Sequence, residues 1–187
     1  MVEKTTQQCH MVMGYRTFGR GNKERYTLSV LSAILGQGMS SRLFTEIRAK
    51  RGLSYYVHSM VNMYAEEGYL AMRAGTKPGS IDEVVTLGRE QFGLFVEEDV
   101  SSEELNKAKE FIKGHLFLGL ENSFEVASFY GEDLLLEDKT RTISEVIKGI
   151  EGVQSSDIKR LAKNYFVDSG LNLSVIGPKK AVSKLKL

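Results

Sequence analysis

The sequence predicts an α+β domain built on a mainly antiparallel sheet, and three observations carry that prediction. Strand-like segments stand near both ends of the chain, a hairpin pattern occupies residues 54–76, and the helical patterns cluster together instead of alternating with strands. Four strands in one sheet, or slightly more, with helices on one face, is the economical arrangement. The expected order is β-α-α-β-β-α-α-α-α-α-β. At 187 residues and 42% hydrophobic, the chain is long enough for one domain with a real core.

Residues 7–18 are rich in Val, Met, Tyr and Thr and end in Gly19-Arg20-Gly21-Asn22, a strand followed by a turn. Over residues 23–35, Tyr26, Val30 and Ile34, with Leu28, Leu31 and Leu35, recur at helical spacing. Gly36-Gln37-Gly38 ends that helix, because glycine takes the left-handed conformation cheaply. Ser40 or Ser41 is expected to cap a second helix over residues 42–50, with Leu43, Phe44 and Ile47 on its inner side and Gly52 as its stop. Residues 54–64 carry Tyr55, Tyr56, Val57, Val61 and Tyr64, which suit a strand, and residues 69–76 supply the return. Lys77-Pro78-Gly79 breaks it.

Capping-box patterns at Ser80, Ser101 and Thr142 open further helices. The first carries Ile81, Val84, Val85, Phe92, Phe95 and Val96. The second carries Leu105, Ala108, Ile112, Leu116 and Gly119 on one stripe, with His115 expected on that buried side as a packed or hydrogen-bonded histidine. Asn122 caps a helix carrying Phe124, Ala127, Gly131, Leu134 and Leu135. A last helix over residues 157–166 starts at Ser155 or Ser156, and residues 171–176 form the closing strand before Gly177-Pro178. Leu31, Phe44, Val57, Leu105 and Ile112 are expected in the core.

Lys and Arg total 25 against 24 Asp and Glu, a net charge of +1. This balance argues against a dedicated nucleic-acid binder and gives no reason to expect an anionic membrane surface as partner. The single cysteine, Cys9, excludes an internal disulfide and a thiolate-rich metal cluster. No apolar run approaches a membrane span, and residues 1–15 hold no signal-peptide core, so a cytoplasmic setting is expected.

His10, His58 and His115 are scattered, with no HExxH or HxxEH motif, and such spacing is poor support for a zinc site. No metal is expected in this chain. Cys9 lies in a strand and reads as a small buried hydrophobe. Gly36-Gln37-Gly38-Met39-Ser40-Ser41 lacks the lysine of a P-loop and follows a helix, so it reads as a cap or a backbone N–H site for an anion or carbonyl. The densest polar stretch runs from Arg42 to Tyr56. A turn at Gly52 could bring Tyr55 back beside Arg48, and a guanidinium with a phenol would bind a carbonyl or carboxylate. A solvated helix face followed by a packed strand tyrosine is the plainer alternative from spacing alone.

The stretch 26–55, YTLSVLSAILGQGMSSRLFTEIRAKRGLSY, resembles the insulinase/pitrilysin family of zinc metallopeptidases, in the branch containing bacterial members and the mitochondrial processing peptidase. The likeness is to the second, zinc-free domain of these proteins. It continues through YAEEGYL (64–70), AGTKP (74–78), EELNKAK (103–109), ENS (121–123) and VIGP (175–178) in the family's order. Gln37 departs from it, standing where glycine is common.

The resemblance implies a processing-peptidase-like metallohydrolase domain over residues 1–187, the C-terminal half of a two-domain zinc endopeptidase about twice as long. It implies zinc in the N-terminal domain and none here, an isolated chain inactive alone, and closure of this domain over the zinc-bearing one to hold an extended peptide. The family's arginine and tyrosine, seven residues apart, land on Arg48 and Tyr55, and its glycine-rich loop on Gly36 and Gly38. These are the expected substrate-binding residues; no catalytic residue falls in this chain. A non-catalytic scaffold or partner subunit of the same fold is the alternative, and an HxxEH motif in the parent protein would decide between them.

Overall fold

The computed structural model describes residues 2–3, 6–182 and 185. Its sheet has five strands in the order β1-β5-β2-β4-β3: β1 (Val2–Glu3), β2 (Cys9–Phe18), β3 (Ser54–Met63), β4 (Glu67–Thr76) and β5 (Leu171–Gly177). β2 to β5 are mutually antiparallel where they pair, as expected. The short β1 was not expected and pairs parallel to β5. Two residues are too few to show a period in sequence.

The alternation along β2 explains how the sheet sits. Cys9, Met11, Met13 and Tyr15 are buried on one face, whereas His10, Val12 and Arg16 are exposed on the other. Leu70, Met72 and Ala74 of β4 join the buried face. Burial pushes the Cys9 thiol above its ordinary pKa, which suits a packing role.

Against that face lie α1 (Arg25–Gly36), α2 (Ile81–Glu97) and α6 (Ser155–Tyr165). α1 is buried nearly all round, because the sheet lies on one side of it and α3 (Ser102–Gly119), α5 (Ile143–Glu151) and α6 on the others. Phe92 and Phe166 close on Tyr15, with ring centroids 5.3 and 4.9 Å away. α4 (Ser123–Glu137) follows α3, and a four-residue helix, α7 (Lys179–Val182), follows β5.

Leu31, Val57 and Leu105 are buried as expected; Phe44 and Ile112 are only half-buried. The Ser101 and Asn122 caps form, their side chains accepting from the N–H groups of Glu104 and Glu125, and Thr142 with Glu145 forms a full capping box. Other expectations need correction. Ser80 makes no side-chain cap, because it ends a 3-10 turn (Pro78–Ser80) with helical backbone angles. The last helix takes its N-terminal bond at Gln154, whose N–H donates to Asp157 Oδ2 at 2.9 Å, rather than at Ser155 or Ser156. His115 is exposed on the outer end of α3, where its Nδ1 pairs with the Phe111 carbonyl at 3.0 Å.

The orientation of α4 is not one that its sequence announces. Phe124, Ala127, Leu134 and Leu135 are exposed and Gly131 is half-buried, while Asp133 is buried. The inner side of α4 is ionic. Asp133 and Glu137 face Arg20, Arg25 and Arg141, with side-chain exposures of 4% and 6% for the two acids.

Several carboxyls sit lower in the folded chain than when exposed. The Thr142 backbone N–H and then its hydroxyl hold Glu145 down, and the Gln154 N–H does the same for Asp157. Hydrogen bonds from Lys50 and Arg51 do so for Glu46. A depressed folded pKa means that the unfolded chain binds more protons, so this stability is present above the unfolded value, about 4, and is lost as pH falls through the folded values. Asp133 runs the other way, raised by burial and by Glu137. With four depressed acids, Glu137 included, against one raised, the thermal midpoint is expected to fall between pH 6 and pH 3. A midpoint that rises on acidification in calorimetry would refute this balance.

Candidate functional site

The segment before Arg48 is not the expected α-helix. Residues Phe44–Ala49 form a π-helix, closed by the Lys50 N–H to the Thr45 carbonyl at 3.0 Å. The wider turn keeps Leu43 and Ile47 buried and leaves Arg48 exposed. The Arg48 guanidinium lies 5.4 Å from the Phe44 ring centroid, a cation–π contact. Glu46, the nearby acid on this turn, is taken by Lys50 and Arg51 at 2.5 and 2.7 Å. Arg48 makes no ion pair among the described residues.

Gly52, at φ +62°, reverses the chain as expected. The Leu53 N–H then donates to the Ile47 carbonyl at 3.0 Å, and the Thr76 hydroxyl to the Leu53 carbonyl. These bonds fasten the start of β3 to the end of the π-helix and to β4. Ser54 pairs with Thr76 and Tyr56 with Gly75, so Tyr55 is the extra residue of a β-bulge. A bulge re-aims the side chain that it carries. Tyr55 is 47% exposed, and its hydroxyl has no hydrogen-bond partner among the described residues. Arg48 and Tyr55 are thus both exposed and lie on opposite arms of one tied turn, with no direct bond between them.

Beside Tyr55, the Tyr56 ring lies over Gly75 on the uncovered face of the sheet, and its hydroxyl meets His10 Nδ1 at 2.9 Å. His58 follows on the same face, its ring centroid 5.9 Å from that of Tyr56. Burial and then Arg73 push His58 below its ordinary pKa. The sequence reading missed this cluster. His10 and Tyr56 stand 46 residues apart, and only the strand register brings them together.

The glycine loop has a strong structural reason. Gly36 is buried at the end of α1, and a Cβ there would meet the Ser59 backbone N–H, with Ser59 Cβ at 2.8 Å and Leu43 Cδ1 at 2.9 Å. Gly38 has φ +80° beside the Phe111 ring. Ser41 turns its hydroxyl back to the Gly38 carbonyl at 2.8 Å rather than capping the next helix. Ser59 lies four residues along β3 from Tyr55, about 13 Å at the strand rise, so Gly36 and Tyr55 stand apart. A shallow cavity of about 220 Å³ lies beside the loop, lined in part by Gln37, Ser40, Lys107 and Phe111. Gly36→Ala is expected to cost about 1–3 kcal/mol in chemical denaturation, because the contact is with strand backbone and cannot relax easily. An unchanged denaturation midpoint would show that α1 can shift off β3.

No group of three or more His, Cys, Asp or Glu among the described residues could hold a metal ion. His10 and His58 flank Tyr56 on the sheet, whereas His115 lies on α3 against Phe111, so the three histidines do not gather into one site. Nor is any described helix long and apolar enough to cross a membrane.

The family described as "Peptidase M16 inactive domain" matches residues 1–112. A protein of Streptomyces coelicolor described as an uncharacterized zinc protease is 30% identical over 180 residues, covering 96% of this chain and 39% of its own. Another of the same description in Bacillus subtilis is 32% identical over 176 residues, covering 94% of this chain and 43% of its own. The chain therefore spans about two fifths of the length of these relatives.

Among solved structures, a peptidase M16 inactive domain from Pseudomonas fluorescens superposes with a TM-score of 0.86 at 18% identity, over 95% of this chain and 43% of that one. A protease from Helicobacter pylori gives 0.81 at 23% identity, over 95% and 43%. A chain of Complex III2 from Candida albicans gives 0.84 at 19% identity, over 95% and 44%. At these identities the structures speak for the fold.

Proposed function

Because the chain belongs to the peptidase M16 inactive-domain family, we propose that it is the substrate-binding domain of a zinc endopeptidase, paired with a zinc-bearing domain that supplies the metal. No group of three or more His, Cys, Asp or Glu among the described residues could hold a metal ion, and this reading assigns the metal chemistry to that other domain. The role of this chain is to bind and orient an extended peptide.

The observation that carries the reading is the tied turn from Phe44 to Tyr56. It displays a guanidinium without a carboxylate partner and a phenol without a hydrogen-bond partner, both exposed. Both groups are donors, and both suit a peptide carbonyl or the negative oxygen that develops when such a carbonyl is attacked. The Leu53–Ile47 bond and the bulge fix the backbone that carries them before substrate arrives, which saves ordering entropy at the moment of binding. Arg48 and Tyr55 are assigned as the donors, with the Gly36–Gly38 loop as a backbone contact farther along the peptide.

A photoreactive peptide substrate bound to the parent protein should label residues 44–56. Labelling confined to other segments would remove the reading.

A further inference from the structure

We propose that the outer stripe of α4 is the docking face for the zinc-bearing domain of the same polypeptide; this rests on the reading above that such a domain accompanies this one. Phe124 and Leu135 are 74% and 84% exposed. They stand eleven residues apart, about three turns, and so share one side of the helix. Ala127 and Gly131 lie between them on that side, and a Cβ on Gly131 would meet open space. The result is a large-small-small-large stripe that admits another apolar element closely. Phe117, at the end of α3, is also exposed.

The inner side of α4 shows why this face is turned outward. Asp133 lies nine residues from Phe124, roughly half a turn around the helix, and it is buried with Glu137 against three arginines. These ion pairs hold α4 with its polar side in and its apolar side out, the reverse of an ordinary surface helix. An exposed apolar stripe on a helix so oriented marks an interaction site.

The occupant follows from length. In relatives at 30% and 32% identity, this chain matches only 39% and 43% of the protein, so most of each relative is further polypeptide joined to the equivalent domain. A tether gives an effective concentration in the millimolar range, so a modest apolar contact suffices. A freely associating second copy would need about 800 Å² from each partner. One helix of 15 residues is a narrow base for that.

The test is amide hydrogen exchange over residues 123–137, measured in the 187-residue chain and in the full-length parent protein. Exchange is expected to be at least about tenfold slower in the full-length protein. Phe124→Ser with Leu135→Ser should abolish that difference while leaving the circular dichroism of the 187-residue chain unchanged. Leu135→Lys is a second variant should the pair perturb folding. Equal exchange rates in the two wild-type proteins overturn the proposal. So does a 187-residue chain that sediments as a dimer and becomes monomeric in the double variant, since the face would then belong to a second copy. Failure of the substrate-binding reading looks different: Tyr55→Phe would leave turnover unchanged while α4 stayed protected.

Discussion

On the proposed substrate-binding role, Tyr55→Phe in the parent protein is expected to lower peptide turnover by about 10²–10³, with folding and metal content unchanged. The magnitude is what removal of one preorganised donor to a developing oxyanion costs in well-measured hydrolases. The substitution deletes only the hydroxyl, which has no partner among the described residues, so the fold loses no bond. The ring stays in its bulge. Arg48→Ala tests the other donor, and its loss should also weaken peptide binding, because a guanidinium attracts the ground-state carbonyl as well as the oxyanion. A KM that rises for Arg48→Ala, with a kcat that falls for Tyr55→Phe, would separate the two roles. If both variants cleave peptides at the wild-type rate, the turn is a solvated surface and the assignment fails.

Glu137→Gln is expected to destabilise the domain by about 3 kcal/mol, the low end for breaking a buried ion pair. Glu137 accepts four hydrogen bonds from Arg20, Arg25 and Arg141, at 2.8 to 3.0 Å. Burial pushes its carboxyl up, but the hydrogen bonds from Arg25 and Arg20 outweigh this, and its pKa lies below the ordinary value. Its charge is therefore net stabilising at neutral pH, and that contribution is lost as pH falls through the depressed value. The amide keeps the size and removes the charge, leaving three guanidinium groups to share Asp133. Because these bonds orient α4, the variant should also raise exchange over residues 123–137. The denaturation midpoint in urea measures the loss; a change under 1 kcal/mol would mean that Asp133 alone carries the cluster.

The two results would test different parts of one design. In the proposed design the turn at Gly52 offers donors to a peptide, and the cluster beneath α4 turns an apolar face toward another domain. Neither depends on the other, since they are built on different elements. A variant with intact turnover but a loosened α4, or the reverse, would show that independence directly.

How far the sequence reached varies with the range of the interaction. The strands, the hairpin and the helices after it were readable from residues 9–177, because alternation and helical period are local and each element buries one face. The same is true of Gly52: a left-handed residue between a helix end and a strand start needs only its neighbours. Arg48 and Tyr55 entered as candidates through the family resemblance; the sequence put them on a helix and at a strand start, and the structure has them on a π-helical turn and at the start of β3.

Other features answered to distance. The π-helix, the bulge at Tyr55 and the His10–Tyr56 pair exist because β3 meets β4, and β4 meets β2, in one register. No local pattern encodes that register. For α4 the local signal misled: Phe124, Leu134 and Leu135 carry a core-like stripe, yet it faces outward. The reason is energetic competition. Two carboxylates and three arginines drawn from separate segments cannot be left unpaired once buried, and pairing them sets which side of α4 turns inward. The sequence by itself determined the elements, their order and the α+β class, since these follow from short-range propensity and period. Only the tertiary structure decided which face of each element is covered, because that depends on charges and side chains that meet from more than a hundred residues away.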